Sequence, residues 1–152
     1  MRLMIVAVGR MRERDEGALF KSYARRLPWP LEVKEIEVRG KGAGAGQQHE
    51  EGRKLLAAVP ERALLVALDG RGEVLDSDGF ARRLAGWRDD GTGTVAFVIG
   101  GADGLDPAVL QRASARLSLG AMTWPHLLVR TMLAEQLYRA ASILQGHPYH
   151  RA

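Results

Sequence analysis

The chain has 152 residues and no cysteine. A single domain spanning 1–152 is expected, and disulfides, thiolate metal ligands and cysteine nucleophiles are excluded. Its hydrophobic fraction is 46%, yet no apolar run approaches the roughly 20 residues of a membrane helix, and the apolar block in MRLMIVAVGR is too short for a secretory signal. We therefore expect a cytoplasmic protein without membrane association. Four histidines without HExxH spacing predict no metal site, and a formal charge of +4 permits a polyanionic partner without requiring one.

Leu3 to Val8 is a continuous apolar run of the kind buried on both faces of a helix-covered parallel sheet. Gly17 to Leu27 spaces Leu19, Tyr23 and Leu27 by four, which predicts a helix that Pro28 ends. Leu31 to Val38 reads as a strand whose apolar positions change parity, suggesting a bulge or a partly exposed edge. Arg39 to Gly46 reads as a surface loop; it lacks the GxxxxGK[ST] spacing of a phosphate loop. A helix follows over Gln47 to Val59, then a buried strand over Ala63 to Leu68 and a turn at Asp69-Gly70-Arg71-Gly72. Asp76 or Ser77 can cap a helix with Phe80, Leu84 and Trp87 inward, and Thr94 to Ile99 is another buried strand. Gly100-Gly101 at its end allows the close approach of a ligand or of another backbone segment. Asp106-Pro107 opens a short helix to about Ala115, and Leu117 to Leu119 is the last strand.

Gly120 to Trp124 then forms a loop at a strand's carboxyl end, with Pro125 placed to open the final helix. That helix carries an apolar stripe at Val129, Met132, Leu133, Leu137, Ala140, Ala141 and Leu144, with Arg130, Glu135 and Arg139 off it. Five strands alternating with helices predict an α/β fold with a mainly parallel five-stranded sheet and helices on both faces. No GxGxxG follows the first strand, so an ordinary dinucleotide site is not expected. The glycines gather instead in the second half, at 68–72, 100–104 and 120–124, where three strand ends would meet.

The run VIGGADG, the loop SLGAMTWPH, the helix LVRTMLAEQLYRA and the ending HPYHR together resemble the RlmH (YbeA) family of ribosomal RNA methyltransferases of the SPOUT class. The resemblance covers essentially the whole chain. It implies a deep carboxyl-terminal trefoil knot, S-adenosylmethionine as methyl donor, a homodimer, and N3 of a pseudouridine in large-subunit ribosomal RNA as acceptor within the ribosome. Carried over residue by residue, the cofactor contacts fall on Leu68, Gly100, Leu119, Gly120, Ala121, Met122, Thr123 and Trp124. Gly120 departs from the serine expected in many relatives, which removes a side-chain contact and leaves the amide.

For the acceptor's proton, the candidates are His150 and Arg151 in the tail, with His126 and Arg130 on the last helix, while Tyr149 or Trp124 offers a ring to stack on the base. The long apolar last helix, taken with the family's dimers, leads us to expect a homodimer in which each tail reaches the cofactor of the other subunit, although the sequence alone leaves open which subunit a tail serves. Two other classes fit the same residues less well. One is an RNA-binding protein that keeps the fold without its chemistry; the other is an α/β enzyme for nucleoside triphosphates, whose phosphate loop this chain lacks.

Overall fold

The computed structural model describes residues 1–39 and 44–151, so residues 40–43 of the glycine-rich stretch 39–46 lie outside the described residues. The strands are β1 (Arg2–Val8), β2 (Leu31–Ile36), β3 (Leu64–Val74), β4 (Thr94–Ile99) and β5 (Ala115–Ser118). The α-helices are α1 (Glu16–Ala24), α2 (Ala45–Ala58), α3 (Ser77–Asp89), α4 (Pro107–Arg112) and α5 (His126–Gln145). The strands form one sheet in the order β2-β1-β4-β3-β5, with every pairing parallel.

The two-residue period of a strand divides the apolar runs between two faces. Leu3, Ile5 and Ala7 of β1 join Val95 and Phe97 of β4 beneath Phe20, Phe80, Leu84, Leu133 and Leu137, so α1, α3 and α5 cover this face. Met4, Val6, Ala96 and Val98 point the other way, against Leu55 of α2 and Val109 of α4. The central strands carry apolar residues toward both layers, which is why they read as unbroken hydrophobic runs rather than as alternations.

Several boundaries differ from the sequence expectation. The Asp69–Gly72 segment is not a terminating turn. Strand β3 passes through it as a bulge, pairing Leu68 with Leu117 and then, after the register shift, Glu73 with the same Leu117. A side chain on Gly72 would stand 2.7 Å from the Arg116 carbonyl carbon, so the close approach of β3 to β5 depends on glycine there. The parity change in β2 is not a bulge, since its register with β1 runs unbroken from Leu31 to Ile36; β2 is a partly exposed edge. Strand β5 ends at Ser118, one residue short of Leu119. Pro125 is the cap of α5 rather than its first residue: its ψ of 137° is extended, while its carbonyl accepts the Val129 amide at 3.0 Å. In α1 the inward residue is Phe20, and Leu19 is exposed.

Candidate active site

The bulge in the middle of β3, the carboxyl ends of β4 and β5 and the loop from β5 to α5 meet on one side of the sheet. They enclose a cleft of about 650 Å³, within the usual range of small-molecule sites. Leu68, Gly100, Leu119, Gly120, Ala121, Met122, Thr123 and Trp124 all line it, so the eight positions singled out for a cofactor are brought together from the β3 bulge and the ends of β4 and β5. Ile99, Val129 and Pro125 add apolar wall, while Met122 and Trp124 are exposed at its rim.

Two glycines shape the cleft for different reasons. At Gly100 a Cβ would stand 2.8 Å from the Gly104 carbonyl oxygen, so the missing side chain makes room for the returning loop rather than for a ligand. The bend closes with the Gly104 amide donating to the Gly101 carbonyl at 3.1 Å. Gly120 instead has φ of +112°, which disfavours any side chain, although the space around it is open. The conformation is fixed by Ser118: its buried Oγ accepts the Gly120 amide at 3.1 Å and lies 3.2 Å from the Gly70 carbonyl, tying the β5 loop to the β3 bulge. Serine at a strand's end carries no sequence signal of this kind. The adenine of a nucleoside cofactor fits such a site, because the walls are largely apolar and backbone groups of the glycines and of the 119–124 loop border it.

Asp69 and His126 are the titratable side chains that line the cleft. Asp69 accepts the Arg71 amide at 3.2 Å through Oδ1, while its Oδ2 is buried without a partner. His126 lies in the first turn of α5, with Nε2 3.2 Å from where a Cβ on Gly9 would sit, so it bridges the ends of β1 and α5 at the edge of the cleft. Only Asp69's position at a strand end, and the proline before His126, hinted at either role.

Arg130 takes a different place from the one its spacing predicted. It is 1% exposed, not off the buried stripe. Its guanidinium pairs with Glu35 at 2.5 Å and donates to the Gly9 carbonyl at 3.2 Å, clamping the ends of β1 and β2 to α5. Glu35 also accepts the Met11 amide at 2.7 Å. Partial burial pushes the Glu35 carboxyl upward, but the Met11 amide and the Arg130 guanidinium outweigh it and hold the carboxyl below its usual range. With its charge neutralised inside the fold, Arg130 is a brace and not a free cation.

The tail packs against α5 and lies away from the cleft. Pro148–His150 form one turn of 3-10 helix, and Tyr149 packs on Tyr138 with ring centroids 4.6 Å apart. The Tyr149 hydroxyl donates to Glu135 at 3.0 Å, so its ring is engaged with α5 rather than placed in the cleft. His150 and Arg151 likewise lie outside the cleft lining.

Against this geometry, the family description "Predicted SPOUT methyltransferase" matches residues 1–150. The chain belongs to the SPOUT methyltransferase family. The methyltransferase is 57% identical over 152 residues to Ribosomal RNA large subunit methyltransferase H of Rhodospirillum centenum, covering all of both chains. It is 54% identical to the protein of the same name in Paramagnetospirillum magneticum, with 99% of each covered. Its fold resembles the SpoU methyltransferase AviRb from Streptomyces viridochromogenes, with a TM-score of 0.51 at 15% identity over 96% of this chain and 61% of that one, so it spans less than two thirds of AviRb. The Ribosomal RNA small subunit methyltransferase E of Neisseria gonorrhoeae, solved bound to S-adenosyl methionine, superposes with a TM-score of 0.53 at 12% identity, over 95% of this chain and 66% of that one. Among the described residues no helix is long and apolar enough to cross a membrane.

Proposed function

We propose that this methyltransferase moves a methyl group from S-adenosylmethionine to N3 of a pseudouridine in large-subunit ribosomal RNA, on the assembled ribosome in the cytoplasm. In this reading the active form is a homodimer of SPOUT domains spanning 1–152, with the cofactor loops drawn into a deep trefoil knot. The observation that carries the reading is the convergence of Leu68, Gly100 and the run 119–124 on one cleft, in a chain that matches named large-subunit methyltransferases along its full length.

S-adenosylmethionine, bound in the cleft, supplies a methyl group already activated for displacement. The chain's contribution is then positioning: amides and carbonyls of Gly100 and Leu119–Met122 hold the adenine edge, and Leu68, Met122 and Trp124 wall its faces. The acceptor poses the harder problem, since an imide N–H must lose its proton. With a pKa roughly two units above neutral, that loss costs about 3 kcal/mol, which one positioned base or cation offsets. His150 and Arg151 of a second copy's tail fill this role. Support comes from the tail's position away from its own cleft. It comes also from a second, apolar cavity of about 670 Å³ between α1, α3 and α5, beside which Leu19 is 50% and Val74 69% exposed. A second copy seated there would cover both.

His126 gives a second reading of the proton's destination, because it lines the cleft of its own subunit. The reading as a whole is tested by calorimetry with S-adenosylmethionine, followed by transfer of labelled methyl to large ribosomal subunits from a strain lacking the gene. Binding of cofactor and labelling of that RNA are expected. Ribosome binding without cofactor binding would overturn it in favour of a catalytically silent RNA-binding protein.

A further inference from the structure

We infer that Glu135, Arg139 and Tyr149 form a latch that aims the end of the tail, making Tyr149 a positioning residue for methyl transfer rather than the ring that stacks on the acceptor base. The inference rests on the proposed methyl-transfer reading and assigns a new role within it. A short chain terminus frays unless something ties it down. Here the ties are numerous and come from three elements. Helix α5 ends at Gly146 in the left-handed conformation, with the His147 amide donating to the Ser142 carbonyl at 2.8 Å, which turns the chain back on itself. The His147 ring then accepts the Tyr149 amide at 3.2 Å, and this sets the single 3-10 turn.

The Tyr149 side chain lands on a prepared site. Glu135 Oε1 accepts from the Tyr149 hydroxyl at 3.0 Å and from Arg139 Nε at 3.0 Å, while Arg139 Nη2 approaches the same oxygen at 2.8 Å. The carboxylate is therefore held from two sides, and both charged side chains are 19% exposed. Arg139 lies 4.9 Å from the Tyr149 ring centroid, Tyr138 meets that ring edge-on, and the Tyr23 hydroxyl of α1 is 3.4 Å from that of Tyr149. The half-buried ring is thus engaged by α5 and α1 of its own chain, which ties it to the helix rather than leaving it free to stack. Burial first, then the bonds with Tyr23 and Glu135, holds the phenol well above its ordinary range, so at neutral pH it is a donor and never a base. The latch leaves the Arg151 side chain exposed at the far end.

The test uses the full-length protein, S-adenosylmethionine and large ribosomal subunits from a strain lacking the gene. Tyr149→Phe keeps the ring and removes the hydroxyl; Glu135→Ala removes the receiving carboxylate. Each should lower kcat about tenfold or more through the freed tail, with cofactor Kd nearly unchanged and the melting temperature lowered by a few degrees, as the loss of a charge-assisted hydrogen bond predicts. Hydrogen exchange at the His150 and Arg151 amides should accelerate in both variants. In an Arg151→Ala background, Tyr149→Phe should cost little more, because the latch acts through the tail. Wild-type kcat with a freed tail, fully multiplicative losses in the double variant, or cofactor affinity falling as far as kcat would each overturn the latch. Were the wild-type protein to methylate no ribosomal RNA, the proposed function would fail first. The latch would then be judged by exchange alone, and tail protection unchanged in Tyr149→Phe would overturn it.

Discussion

Arg130→Met removes a guanidinium that is 1% exposed and bridges Glu35 to the carbonyls ending β1. Its expected cost follows from what is left behind. The Gly9 carbonyl loses a charged donor, and a methionine of similar length refills the space. Glu35, whose side chain is 33% exposed, rehydrates and keeps the Met11 amide, so the penalty of an uncompensated buried charge applies only in part. Bonds to charged groups are worth about 1.5–3 kcal/mol each, and Arg130 carries an unpartnered Nε in the native state, which offsets some of the loss; about 3 kcal/mol is the expected destabilisation. For a chain of this size that lowers Tm by roughly 6–12 °C, readable by calorimetry. Below its melting transition the variant should retain cofactor affinity. If Arg130 were instead the cation facing the acceptor, Arg130→Met would melt like the parent and lose turnover. That result would refute the brace.

Three other outcomes follow from the same geometry. Met132 lines the apolar cavity without being fully buried, so Met132→Glu should yield folded monomers by sedimentation, where the parent sediments as a dimer; a parent that is monomeric at micromolar concentration contradicts the assembly. A chain ending at Gly146 should fold and bind S-adenosylmethionine but not methylate, and a mixed dimer of this chain with a cofactor-site variant should recover one composite site. Activity of the truncated homodimer would remove the tail from the chemistry. Because the Glu35 carboxyl is held low, it contributes stability above the unfolded value near about pH 4.3 and loses it as pH falls through the lower folded value. Glu35→Gln should therefore flatten the acid limb of the stability curve below about pH 4.3, and an unchanged limb would show that the pairing does not matter there.

The central strands were legible because they are buried on both faces, and apolar runs such as LMIVAV and TVAFVI leave no other assignment. The Asp76 and Asp106 caps were legible for a similar reason: each side chain accepts a first-turn amide, from Gly79 at 2.6 Å and Ala108 at 3.3 Å. The β3 bulge was not, since Asp-Gly-Arg-Gly has the composition of a turn and only pairing with β5 keeps it in the sheet. Arg130 escapes the pattern because helical spacing ranks an arginine as outward, whereas Glu35 and the end of β1, about a hundred residues away in sequence, draw it inside. At the site, the glycines and the 119–124 loop could be located from their motifs. The contribution of Ser118 and the engagement of Tyr149 depend on tertiary partners that no local pattern encodes.

Mass spectrometry of large-subunit ribosomal RNA tests the central claim most directly, comparing a strain that carries the gene, a strain deleted for it, and the deleted strain supplied with the wild-type protein. One methyl group on the base of a single pseudouridine should vanish on deletion and return with the wild-type copy. An unaltered modification profile in the deleted strain would contradict the assignment.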